Sequence, residues 1–223
     1  MNERFILMFS LLSVTFLAAA GVVTIPLDNH DADNISHPRS RHLEGHEERE
    51  TPNFGFEDLT GWKLSYSGDK WDVKFTRSRE EPLWGNYVGR LEVRQTGKNP
   101  DPQSRILLTP PDNFMISSDF DSINIWTFGT AFAASPGLSA MLYFEIIDAD
   151  GEKHLIPMRS SYQNRVFWSG WTIWHKTLDK PLKAPARLNN IVMDGFNHPK
   201  TVLYFVSLRF YRQSTIPLPQ ARV

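Results

Sequence analysis

Two segments frame the folded part of this chain and restrict what can lie between them. Residues 201–211 read TVLYFVSLRFY. In an extended chain, Tyr204, Val206, Leu208 and Phe210 fall on one side, and Phe205, Ser207, Arg209 and Tyr211 on the other. The first set is expected to face a core, the second, mixed set to be partly exposed. Residues 53–62 read NFGFEDLTGW, an aromatic strand running into a Gly turn. Short β-rich runs lie between them, at 63–66, 71–76, 87–94, 104–109, 122–130, 140–148, 171–177 and 188–193, with 202–211 closing the set. Turn sequences separate them: Gly68-Asp69, Asn99-Pro100-Asp101-Pro102, Pro110-Pro111-Asp112-Asn113, Ser135-Pro136-Gly137 and Asp148-Ala149-Asp150-Gly151. No stretch keeps an apolar period of 3.6 over three turns. The pattern predicts an all-β, two-sheet sandwich, and about 160 residues are enough to bury roughly two-thirds of the unfolded surface.

The chain outside that frame reads differently. Asn2-Glu3-Arg4 is a polar lead, residues 5–20 are almost wholly apolar, and Ala18-Ala19-Ala20 places small residues where a signal peptidase acts. Residues 1–20 are therefore expected to be a signal peptide cut after Ala20. The alternative is an uncleaved membrane anchor, with the apolar run continuing through Val23. Residues 21–51 are read as a flexible polar linker, because 28–51 hold almost no large apolar side chain to offset ordering entropy. Its histidines, His30, His37, His42 and His46, follow no regular ligand spacing. The sandwich is expected over 52–213 and a Pro-containing tail over 214–223, beyond which a further domain would follow if the chain is a fragment of a larger enzyme. The expected location is secreted, periplasmic or on the cell surface; a membrane is a partner only if the N-terminal segment is uncleaved.

Charge and composition exclude several function classes. The net charge is −1, and residues 21–50 hold seven acids against three arginines. The remainder carries no Lys/Arg run of the kind that marks a nucleic-acid partner. With no cysteine in the 223 residues, disulfides, Cys–His catalysis and thiolate metal sites are excluded within them. There is no G-x-S-x-G elbow, no H-E-x-x-H and no phosphate-binding Gly loop. Glu145 and Asp148 are three apart and would point to opposite sides of a strand, and 148–151 reads as a hairpin turn between Met141–Ile147 and Lys153–Pro157. No catalytic residue is expected.

The aromatics carry the functional signal: seven Trp, fifteen Phe and six Tyr. Sugar rings present C–H faces to aromatic side chains and hydroxyls to polar ones, so a glycan surface needs exposed rings beside hydrogen-bonding groups. The densest stretch, SYQNRVFWSGWTIWHK at 161–176, supplies Tyr162, Gln163, Arg165, Trp168 and Trp174 as candidates. Trp171 and Ile173 share a strand face, and Trp174 takes the opposite one. Trp126, on a face with Asn124 and Phe128, and Trp84, in a Pro-Gly loop, are further candidates. The competing reading is that all these rings fill the core. His154, His175 and His198 are isolated and read as hydrogen-bonded structural residues.

Taken in order, NFGFEDLTGW, YVGRLEV, SINIWTFG, DADGEKHLIP, WSGWTIWHKTL and LYFVSLRFY resemble the galactose-binding-like jelly-roll modules that precede the catalytic domains of large exported bacterial glycosidases. The resemblance spans about 53–218. It implies a noncatalytic, carbohydrate-associated accessory module with polysaccharide as its partner; the alternative is a structural or interaction β-sandwich without a glycan ligand, and a glycosidase comes third. Such modules often hold a calcium between the GFE region and an Asp of the closing strand. Glu57 matches the first part, but Val206 stands at the second and offers no oxygen. The calcium reading rests on Glu57 alone, and no cofactor is expected.

Overall fold

The computed structural model describes residues 22–29, 52–67, 71–97, 105–112, 114–129, 141–160, 171–196 and 199–213. The described strands are β1 (Val22–Pro26), β2 (Lys63–Ser67), β3 (Trp71–Ser78), β4 (Val88–Gln95), β5 (Ile106–Thr109), β6 (Met115–Ile116), β7 (Phe120–Gly129), β8 (Met141–Ile147), β9 (Lys153–Pro157), β10 (Arg159–Ser160), β11 (Trp171–Leu182), β12 (Ala186–Asp194) and β13 (Lys200–Tyr211). They form an all-β sandwich of two sheets. One runs β1-β2-β5-β12-β8-β9, with β6 also paired to β12; the other runs β10-β11-β7-β13-β4-β3. Every expected run overlaps a described strand, and the pairings are antiparallel.

Alternation puts one side of each sheet into a shared core. In β8, Leu142, Phe144 and Ile146 are buried and their neighbours half-buried. Trp71, Val73 and Phe75 of β3 do the same from the other sheet. Phe54, Phe56, Trp62 and Phe114 interlock at one end, with Phe54–Trp62 ring centroids 4.6 Å apart and Phe54–Phe56 edge-on at 4.9 Å. Phe120 and Phe210, edge-on at 5.2 Å, also belong to this core.

The two framing segments meet. Phe54 N–H donates to the Leu208 carbonyl (3.1 Å), Leu208 N–H to the Phe54 carbonyl (2.8 Å), and Phe210 N–H to Asn53 Oδ1 (2.7 Å). The opening segment thus flanks the second half of β13, where β4, which pairs with β13 over its first half, has ended. At the junction β13 carries a bulge. Val206 pairs with Trp126 and Arg209 with Asn124, so β13 has one residue more than β7, and Ser207 takes φ +56°.

The bulge corrects the expected faces of this strand. Leu203 and Phe205 point into the main core, the extra residue reverses the phase, and Leu208 and Phe210 point in after it. Tyr204 and Val206, expected to face the core with Leu208, instead lie on the opposite side in a second apolar cluster. A period-two reading cannot survive a one-residue insertion.

The expected linker 21–51 also needs correction at its start. Val22–Pro26 is a strand on β2, Leu27 N–H donates to the Trp62 carbonyl (2.7 Å), and Asn29 Oδ1 accepts the Leu59 N–H (2.8 Å). All five β1 residues are exposed, so no alternation marked the strand in the sequence. Segment 1–20, residues 30–51 and tail 214–223 lie outside the described residues. Among the described residues no helix is long and apolar enough to cross a membrane.

Ser207 is fully buried at positive φ. A β-branched side chain is disfavoured there, so Ser207→Val is expected to lower unfolding free energy in urea by at least about 1–2 kcal/mol. An unchanged midpoint would show that the bulge does not hold that conformation.

Candidate functional site

The outer side of the six-stranded sheet is built by the same alternation that fills the core. Ile123 and Ile125 of β7 point inward; Asn124, Trp126 and Phe128 point outward. Across the ladder, Trp171 opposes Phe128, Ile173 opposes Trp126, and His175 opposes Asn124. On the other flank Val206 opposes Trp126 and Tyr204 opposes Phe128. Val88, Val202, Tyr204 and Val206 are buried there together with Leu83, and Trp84, Trp126, Phe128 and Trp171 pack half-buried against them.

Leu83 and Trp84 come from the loop 79–87 between β3 and β4, which is fixed at both ends. At one end Glu57 Oε1 accepts the N–H groups of Asn86 (2.7 Å) and Tyr87 (3.1 Å). Gly85 sits at φ +74°, where a Cβ would lie 1.9 Å from that oxygen, so the loop and the carboxylate fit only with glycine. The Arg77 guanidinium stacks 4.1 Å from the Tyr87 ring centre. At the other end Ser78 Oγ accepts the Glu80 N–H (3.0 Å), and Tyr204 O–H donates to Glu80 Oε2 (2.5 Å). Arg90 stands between two acids, its Nε 3.6 Å from Glu80 and its Nη1 2.9 Å from Glu92. Burial first, and the Glu80 carboxylate second, push the Tyr204 phenol well above its ordinary pKa. It therefore stays a hydrogen-bond donor through the physiological range.

The loop sets Trp84 edge-on against Trp126, with ring centroids 5.4 Å apart and planes at 80°. Phe128 lies 5.8 Å from both Trp171 and Tyr204. The amide oxygen of Asn124 is buried on this face without a hydrogen-bond partner. At the edge, His175 is hydrogen-bonded by Tyr211 (3.2 Å) and Thr177 (3.0 Å), and desolvation holds its pKa below the ordinary imidazole value. The arrangement offers half-exposed rings set on the outer side of a sheet.

Of the candidates read from sequence, Trp84 and Trp126 come together here. Trp174 does not. It is fully buried in the main core, opposite Ile125, with its Nε1–H bonded to Thr127 Oγ1 at 2.8 Å. A ring with no accessible face cannot stack on a sugar. Tyr162, Gln163, Arg165 and Trp168 lie outside the described residues. Glu57, the one candidate calcium ligand, directs Oε1 at the backbone N–H groups of Asn86 and Tyr87. Trp171, Phe128 and Asn124 were absent from the candidate set, although their two-residue offsets from Ile173 and Trp126 placed them on the same face. Glu145 lies on the other sheet, its carboxylate accepting from Lys153 (2.9 Å), Asn190 (3.1 Å) and Asn189.

No family model matches the chain, and no curated protein is significantly similar to it. Three solved structures that the chain is similar to are described as carbohydrate-binding modules. One, described as a carbohydrate-binding module of the β-sandwich superfamily with promiscuous specificity, aligns with a TM-score of 0.46 at 12% identity over 72% of this chain. This chain spans 62% of that structure. The CBM22-1 xylan-binding domain of Paenibacillus barcinonensis Xyn10C gives 0.38 at 14% identity, covering 73% of this chain and 96% of its own. A family 29 carbohydrate-binding module from Piromyces equi gives 0.37 at 12% identity, covering 70% and 96%.

Proposed function

We propose that this chain is a noncatalytic carbohydrate-binding module of an exported protein, and that it takes polysaccharide on the outer face of the six-stranded sheet. One observation carries the reading. Half-exposed Trp84 and Trp126 stand edge-on to one another on the outer side of the sheet, in one cluster with half-buried Phe128 and Trp171. A sugar offers the C–H face that such rings accept, with hydroxyls for the polar side chains beside them. Export follows from the apolar N-terminal segment and its small-residue site. Trp168, Arg165, Gln163 and Tyr162, which precede Trp171 in sequence, complete the expected contact set.

Affinity electrophoresis and tryptophan fluorescence, with soluble β-glucan, xylan, mannan and galactan as probes, test the reading. At least one glycan is expected to retard the protein and shift its emission. Trp126→Ala and Trp84→Ala are each expected to weaken that binding about tenfold, equivalent to about 1.4 kcal/mol. No retardation and no shift with any glycan would defeat the proposal and favour a structural sandwich whose outer aromatics serve packing alone. Glycosidase activity in the purified chain would overturn the noncatalytic reading.

Trp174→Ala is the stability counterpart. Its ring fills the main core, so the change is expected to cost about 3–5 kcal/mol in urea unfolding. Full stability with lost glycan binding would instead place Trp174 at the sugar surface.

A further inference from the structure

The hairpin joining β8 to β9 gathers three metal-ligating side chains well away from the aromatic face. Asp148 leaves the end of β8, Glu152 lies in the turn, and His154 sits on β9 opposite Ile146. One ligand atom from each lies within 4.8 Å of the others. The hairpin also orients them. Asp148 Oδ1 accepts the N–H groups of Asp150 (3.0 Å) and Glu152 (2.9 Å), which fixes the carboxylate plane and turns Oδ2 to His154 Nε2 at 2.8 Å. Outer hydrogen bonds of this kind set the direction of a metal-binding carboxylate. The Glu152 carboxylate makes no hydrogen bond or ion pair among the described residues and is free to swing onto an ion.

We propose that this hairpin binds a zinc-type divalent ion through Asp148, Glu152 and His154, with water completing the shell. The donor set selects the class. One imidazole nitrogen with two carboxylate oxygens suits Zn²⁺, whereas calcium asks for six to eight oxygens. Binding replaces the His154–Asp148 hydrogen bond by two metal bonds, with the neutral imidazole carrying its proton on Nδ1 instead of the coordinating Nε2. It ties the end of β8 to the edge strand β9, a cross-link that a chain without cysteine cannot obtain from a disulfide.

The full chain, stripped with chelator and titrated with ZnCl₂ in a calorimeter, tests this, with thermal unfolding as the second readout. Saturable binding of one ion per chain and a raised unfolding temperature are expected, with no rise on adding CaCl₂. Glu152→Gln is expected to weaken zinc binding at least tenfold and His154→Gln to abolish it. His154→Gln also removes a hydrogen bond that holds the hairpin. Glu152→Gln alters only an exposed, unbonded side chain, so it keeps the test readable if the first variant is unstable. No saturable binding would overturn the proposal. So would zinc affinity unchanged in both variants, which would place the metal on the histidines of 30–46.

Discussion

The structure turns on the junction between the opening segment and the closing strand. Strand β13 is central in its sheet, with β7 on one side and β4 on the other, but β4 ends halfway along it. The exposed backbone of the second half is met by Phe54 and Asn53, which satisfy the N–H groups of Leu208 and Phe210 and the carbonyl of Leu208. Buried strand backbone left without partners costs more than most single packing contacts contribute. The same pairing fixes Phe54 against Trp62 and Phe56, so one short contact completes a sheet and seats the aromatic end of the core.

The Ser207 bulge sits at that junction and divides β13 by function. Before it, alternate residues serve two apolar layers, with Phe205 in the main core and Tyr204 and Val206 under the outer aromatic face. After it, Leu208 and Phe210 enter the core while Arg209 and Tyr211 are only partly covered. The outer layer in turn needs a roof. Glu57 and Glu80 supply it by holding the two ends of the 79–87 loop, one through backbone N–H groups and one through the Tyr204 hydroxyl. Rings held this way spend little entropy when a ligand arrives, which is the benefit of preorganisation.

Much of this was legible in the sequence. Period-two runs and Pro/Gly turns specified the strands and the sandwich, and the offset of Trp126 from Ile125 put it outside. What stayed hidden has identifiable causes. Strand β1 is exposed on both faces, so its pairing with β2 left no hydrophobic period. The bulge inserts one residue and inverts the faces after it, which no pattern within β13 could announce. Trp174 could have faced either way, since both sides of its sheet carry large apolar residues; its side was set by the register with Ile125. The hold of Glu57 on the 79–87 loop was hidden because its partners, Asn86 and Tyr87, lie 29 and 30 positions away.

Strand β1 has a consequence for the chain in company. Among the described residues it ends its sheet with one side unpaired, and Val22, Val23 and Ile25 stand open to water. Such a border invites a strand from another copy. Pro26 opposes that: it has no N–H to offer at its end of the strand. A ladder growing outward from this border therefore loses a donor where β1 gives way to Leu27, whose own N–H is already committed to the Trp62 carbonyl.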